Sequence, residues 1–247
     1  MSKTSMIITI DDRGKEKNCM GHLYLIRHGD AASTSTNPLE DPRLTTLGVT
    51  QAERLRDRLA ATGEIRADVL ISSTMLRARQ TAEIIAPALG LPVLFDDEVQ
   101  EWRFPEDETL NVDEYVEHFK TVPHDQKPFF QVIPRAESWV QFMLRASIAL
   151  NRLTQEYEDK TLVVVCHGGV VDASFHFFLH LSTLHLAPVS FDTQNTSITH
   201  WYRTTRESSP TPWALACYND IMHLRDLHSP TRIPWRELTN SLREGDL

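Results

Sequence analysis

The sequence predicts an α/β protein: a doubly wound, mostly parallel sheet with helices on both faces and a small inserted lid. Three observations predict it. Short apolar runs such as Leu23-Tyr24-Leu25-Ile26 and Leu162-Val163-Val164-Val165-Cys166 lack polar alternation, as strands buried on both faces do. Between such runs lie segments with apolar residues at helical spacing, bounded by capping residues and glycines. The two patterns alternate along 247 residues, with no internal repeat or low-complexity tract, and that length suffices for one core of this kind.

Residues 1–19 read as an N-terminal extension, because Met20-Gly21 stands as a natural start just before the first strong strand, Leu23–Ile26. Leu47 to Ala61 follows as a helix: Thr45 is placed to cap it, Ala52, Leu55 and Leu59 recur on one face, and Gly63 stops it. Val69-Leu70-Ile71 is the second strand, running into Ser72-Ser73, which are expected to cap a helix from about Met75 to Leu89. Pro92-Val93-Leu94-Phe95 is the third strand. Residues 103–136 change character, with Pro105, Pro123 and Pro128, an acidic stretch and Phe104, Tyr115, Phe119, Phe129 and Phe130; they form the inserted lid. A helix from Ser138 to about Tyr157 precedes the strand Leu162–Cys166 and a helix from Val170. Strands at Ser197–Arg203 and Trp213–Tyr218 close a domain spanning 20–225, and residues 226–247 make a peripheral C-terminal tail.

The 25 Lys and Arg against 34 Asp and Glu leave a net charge of −9. That excludes a general nucleic-acid binder, which needs a basic face, and docking on anionic membrane. No apolar run is long enough to span a bilayer, and the N-terminal apolar patch is too short for a signal peptide. Cys19, Cys166 and Cys217 are odd in number and lack metal spacing, so a reducing, cytoplasmic setting is expected. His176, His180 and His185 come at near-helical intervals without a carboxylate framework; no metal site and no cofactor is assigned. Nothing in the sequence sets the oligomeric state.

In such a sheet, ligands gather at the carboxyl ends of the strands. The first strand delivers Arg27-His28-Gly29 there, the second leads to Arg77 one turn into its helix, and the strand before the last long helix delivers His167-Gly168-Gly169. Two arginines, two histidines and two helix N-termini converge on one edge. Guanidinium forks and helix N-termini both suit a phosphate dianion. Net charge describes the far field, and a phosphate site is built from the near one.

Arg27-His28-Gly29 after an apolar strand resembles the signature of the histidine phosphatase superfamily, which includes the cofactor-dependent phosphoglycerate mutases. Leu44–Ala52, Ser73–Ala82, Ala136-Glu137-Ser138, Val165–Gly169, Asn195–Ile198 and Asn219–Leu224 resemble further family segments in order and spacing. The loop Asp30-Ala31-Ala32 looks closer to small phosphatases than to mutases. The resemblance implies a phosphoglycerate mutase-like fold and a metal-independent hydrolase of small phosphomonoesters.

By that resemblance His28 attacks phosphorus and becomes a phosphohistidine, Arg27, Arg77 and His167 hold the equatorial oxygens, and Glu101 protonates the leaving alkoxide. Glu98, three residues upstream, is close enough to be the donor instead. Gly29 and Gly168, after the two histidines, are expected to let backbone approach the phosphate, with Gly168 counted among its ligands. Many members carry Thr and Asn at the third and sixth positions after the nucleophile. Here those positions are Ala31 and Thr34, so Thr34 or Ser33 is expected to supply the missing contact. Trp102 and Phe104 are read either as lid core or as the apolar wall of a substrate pocket. Phosphoglycerate mutase-type transfer, a protein phosphohistidine or phosphotyrosine phosphatase, and a non-catalytic phosphate-binding domain are the alternatives.

Overall fold

The computed structural model describes residues 8–10, 16–31, 41–105, 112–186, 189, 191–204, 213–225 and 227. Its central strand β2 (Glu16–Arg27) begins earlier than the apolar run indicated, and β1 (Ile8–Ile10) folds back on it antiparallel. Part of the expected extension is therefore sheet.

β3 (Val69–Ser73), β4 (Val93–Asp96), β5 (Thr161–Cys166), β6 (Ile198–Thr204) and β7 (Trp213–Asp220) complete a sheet ordered β4-β3-β5-β2-β6-β7. β2, β5, β3 and β4 run parallel, while β6 and β7 add an antiparallel edge. The period of two along a strand sends successive side chains to opposite faces. Leu23 and Leu25 of β2 enter one core with Val164 and Cys166 of β5, and Tyr24 and Ile26 enter the other with Val163 and Val165. Both cores need a cover, which explains why the runs Leu23–Ile26 and Leu162–Cys166 are apolar throughout.

α1 (Thr46–Thr62) and α2 (Leu76–Leu89) cover one face through Leu55, Leu59, Ala82 and Ile85. The Thr45 hydroxyl accepts from Gly48 N–H, and Gly63 ends α1 in the left-handed region at φ 61°. α4 (Trp139–Glu156) and α5 (Gly168–Phe178) cover the other through Phe142, Met143, Leu150, Val171 and Phe175. Ser138 and Gln141 close a reciprocal capping box at the start of α4. α5 begins two residues before the predicted Val170, with His167 at its cap.

One capping expectation is corrected. α2 is not capped by the serines: Asp41 accepts the Leu76 N–H at 2.6 Å, and no side chain of the preceding turn caps the helix. The carboxylate sits at the positive end of the helix dipole, where an anion is favoured.

Residues 103–136 contribute no strand among those described. They hold α3 (Val112–Thr121) and a 3₁₀ turn (Lys127–Phe129), and Tyr115, Val116 and Phe119 pack on a small separate cluster of Val132, Ile133 and Ala136.

Candidate active site

The carboxyl end of β2 is pinned by main-chain bonds that do not depend on its own side chains. His28 N–H donates to Cys166 O at 2.9 Å, Asn195 Nδ2 donates to His28 O at 2.9 Å, and Gly29 N–H donates to Thr81 Oγ1 at 3.0 Å. Gly29 is required here by packing. A Cβ on it would lie 2.5 Å from the Gly48 carbonyl oxygen, and one on Gly48 would lie 1.9 Å from that of Asp30. The two glycines let the start of α1 press against the loop after His28. At Gly168 an added Cβ meets only Arg27 Nε, at 3.8 Å.

His28 is buried, with Nδ1 2.7 Å from its own neighbour's carbonyl, Gly29 O. A carbonyl only accepts, so the proton sits on Nδ1 and Nε2 holds the lone pair. Arg77 Nε donates to that Nε2 at 3.1 Å. Burial, then the charges of Arg77 and Arg27, hold the imidazole well below its usual pKa, so it is neutral.

His167 is fully buried at the α5 cap, its ring centre 5.1 Å from that of His28. Its Nε2 lies 2.8 Å from Ser73 Oγ, and Nδ1 is buried without a partner. Burial, with Arg77 the leading charge, also keeps this ring neutral. The two arginines therefore supply the full positive charges next to the histidines. Arg27 is anchored by a bond from one terminal nitrogen to Thr193 O and leaves Nε buried and unpartnered. Arg77 is steered by Asp41, 3.2 Å from its terminal nitrogen. Arginine keeps its charge even where burial lowers its pKa, as it does for both. A double positive charge matches a phosphate dianion.

The Glu101 carboxylate sits at the N-terminus of α5: Oε2 accepts from Gly169 N–H at 3.0 Å and Oε1 from Trp102 N–H at 3.1 Å. Its charge acts on both Arg27 and Arg77. Glu98 points elsewhere, toward Arg103 at 3.2 Å, with its side chain 42% exposed. Trp102 belongs to the core, packed between Trp139 and Phe142, with Nε1 donating to Glu137 O at 2.5 Å. Phe104 is 39% exposed and stands 6.1 Å from the Trp102 ring. Thr34, like Ser33, lies outside the described residues.

Sequence reasoning missed Asp172, in the second turn of α5, four residues after Gly168 and so on the same helix face. Its Oδ1 is buried without a partner, and burial, then the Glu101 charge, push its pKa well above the usual carboxylate range against the pull of Arg27. Only the (i, i+4) relation to Gly168 could have flagged it. No cluster of three or more His, Cys, Asp or Glu side chains able to hold a metal stands among the described residues.

A neutral imidazole whose Nε2 lone pair is held by an arginine, with a second arginine beside it at the carboxyl edge of a parallel sheet, defines an α/β protein equipped for phosphoryl groups. The chain belongs to the histidine phosphatase superfamily (branch 1), whose sequence pattern it matches over residues 23–216. It is 30% identical over 219 residues to the probable phosphoglycerate mutase GpmB of Proteus mirabilis, covering 84% of this chain and 97% of that one. The uncharacterized phosphatase PhoE of Bacillus subtilis is 21% identical over 83% of this chain and 97% of its own. Among solved structures, Bacillus stearothermophilus YhfR superposes with a TM-score of 0.63 at 26% identity, over 83% of this chain and 99% of that one. An Entamoeba histolytica phosphoserine phosphatase gives 0.62 at 24% identity, over 83% and 100%.

Proposed function

We propose that this chain hydrolyses a small phosphomonoester through a phosphohistidine on His28, in a reducing, cytoplasmic setting. The observation that carries the reading is the His28 tautomer. The Nδ1–H bond to Gly29 O leaves Nε2 as a neutral nucleophile, held by Arg77 Nε.

The Nε2 lone pair forms the N–P bond while the P–O ester bond breaks toward the leaving oxygen. Glu101, in its protonated form, gives that oxygen its proton and is left as the carboxylate. Water then attacks the phosphohistidine, Glu101 takes a proton from it, and the P–N bond breaks with its electron pair returning to Nε2. Arg27, Arg77 and the N–H groups at the start of α5, Gly168 among them, face the charge on the equatorial oxygens. His167 is neutral and adds a hydrogen bond through Nδ1, which has no other partner. Phe104, exposed over the Trp102 ring, forms an apolar wall for the leaving group.

Similarity to proteins named as phosphatases supports hydrolysis, and a fold neighbour solved with phosphoserine bound suits a small substrate. The likeness to a probable mutase favours a second reading, return of the phosphoryl group to a product alcohol. The test is turnover of p-nitrophenyl phosphate in EDTA by wild type and His28→Ala. Hydrolysis by the wild type alone is expected, and equal activity of the variant refutes the reading. Phosphate exchange between 2,3-bisphosphoglycerate and 3-phosphoglycerate in place of net release supports the mutase.

A further inference from the structure

The segment carrying Glu101 has no regular structure of its own: residues 100–105 follow a 3₁₀ turn (Asp97–Val99) outside helix and strand. A proton donor must be held to within about half an ångström of its working position, and a bare loop does not do that. Arg145, in the middle of α4, does. Its side chain is buried, at 8% exposure. One terminal nitrogen donates to the carbonyls of Glu98 and Gln100 at 2.8 and 3.1 Å, and the other donates to that of Glu101 at 3.1 Å. Nε and the second terminal nitrogen take both oxygens of Glu137, each at 2.7 Å. A guanidinium has five N–H groups. All of them are used, and three close on the backbone of one short loop.

Glu137 straps the same loop from the other side. Its carboxylate accepts from Arg103 N–H at 2.9 Å, its own N–H donates to Arg103 O at 3.0 Å, and its carbonyl accepts from Trp102 Nε1. Neither Arg145 nor Glu137 has a bond to the two histidines or to Arg27 and Arg77 among the described contacts. A buried ion pair is a weak source of net stability, because desolvation offsets most of the attraction. What this pair achieves is geometric.

We propose that Arg145, with Glu137 as its counter-ion, is a positioning residue that fixes the proton donor of the reaction. The inference rests on the reading of Glu101 as that donor. Its consequence is selective. Departure of an alkoxide needs a proton at the moment the P–O bond breaks, whereas p-nitrophenolate leaves without one. Loosening the clamp lowers kcat/KM for alkyl phosphates far more than for aryl phosphates with good leaving groups. A purely structural role lowers both together. Because kcat/KM stops at formation of the phosphohistidine, the later hydrolysis by water does not enter the comparison.

The experiment measures the ratio of kcat/KM for glycerol 2-phosphate to that for p-nitrophenyl phosphate. It compares wild type, Glu101→Gln, Arg145→Lys, and the double variant Arg145→Met with Glu137→Gln, which leaves no orphan charge. Thermal unfolding reports whether each folds. The ratio is expected to fall by about 10²-fold in both clamp variants, the lower end of what general acid catalysis contributes. Arg145→Lys keeps the charge and the pair but not the fork, so it carries the test should the double variant not fold. A drop in the ratio for Glu101→Gln with none in folded clamp variants overturns the inference and leaves the donor assignment standing. An unchanged ratio in Glu101→Gln removes the donor assignment and the inference with it.

Discussion

Replacing Arg77 separates two things this side chain does. Its Nε–H holds the His28 lone pair at 3.1 Å, its terminal nitrogens meet Asp41 Oδ1 and Met75 Sδ, and in the proposed mechanism its charge faces phosphate. Arg77→Lys keeps a charge but removes the fork, costing one charge-assisted hydrogen bond of about 1.5–3 kcal/mol, or roughly 10- to 150-fold in kcat/KM. Arg77→Met removes the charge and both contacts, costing about 3–6 kcal/mol, roughly 10²- to 10⁴-fold. The pH profile distinguishes the variants a second way. Arg77 is the largest charge holding His28 below the usual imidazole range, after burial itself. Without it the His28 pKa rises part of the way back, so the nucleophile is lost to protonation at a higher pH. The acidic limb of kcat/KM thus shifts upward in Arg77→Met and stays in place in Arg77→Lys. The assay is p-nitrophenyl phosphate hydrolysis across the pH range, where ionisation of the substrate is common to all three proteins. An Arg77→Met enzyme with kcat/KM within about threefold of wild type, or with an unmoved limb, refutes the reasoning.

Three further outcomes follow from the same structure. Asp172, held protonated by burial beside Arg27, ionises as pH rises and places a negative charge next to the site, so inhibition by inorganic phosphate weakens toward alkaline pH. In Asp172→Asn that weakening is reduced, and the same pH dependence of inhibition in the two proteins contradicts it. His200 and His223 are held at about 4 by burial. The unfolded chain takes up their protons first, near pH 6.5, so stability is lost as pH falls from there to about 4, by up to about 3 kcal/mol each. Urea midpoints measured through that window should fall less steeply in His200→Gln. Gly48→Ala forces a Cβ to within 1.9 Å of Asp30 O and is expected to lower stability by more than about 2 kcal/mol and abolish activity. Gly63→Ala meets no neighbour and strains only φ, costing about 1 kcal/mol with activity intact. Thermal unfolding and turnover of the two proteins check the contrast.

What was legible in the sequence was local. Thr45 and Gly63 gave the bounds of α1 to within a residue, because a hydroxyl cap and a left-handed glycine act on their own turns. The uniform apolarity of Leu23–Ile26 and Leu162–Cys166 pointed to a doubly covered sheet, and the motif order placed His28, His167, Arg27 and Arg77 at one edge. What depends on distant pairing was not legible. Asp41 caps α2 from 35 residues away, and nothing near Ser73 announces that its hydroxyl, which accepts from Met75 N–H, also meets His167. The role of Gly29 is set by Gly48, which only the packing of α1 against the loop brings into contact. Glu98 and Glu101 look equivalent in sequence, and they differ because the loop turns one toward Arg103 and the other toward α5. Asp172 and the Arg145 clamp went unread because neither lies in a segment whose pattern names a chemistry.

The proposed mechanism requires phosphorus to be bonded to His28 Nε2 during turnover. Rapid acid-free quenching of the enzyme mixed with ³²P-labelled substrate, followed by peptide mapping, tests it directly. With labelled p-nitrophenyl phosphate, whose leaving group needs no proton, an acid-labile, alkali-stable label is expected on His28 in wild type, approaching about one per site in Glu101→Gln, where attack by water is slowed, and none on His28→Ala. Label on a different residue, or wild-type turnover by His28→Ala, contradicts it.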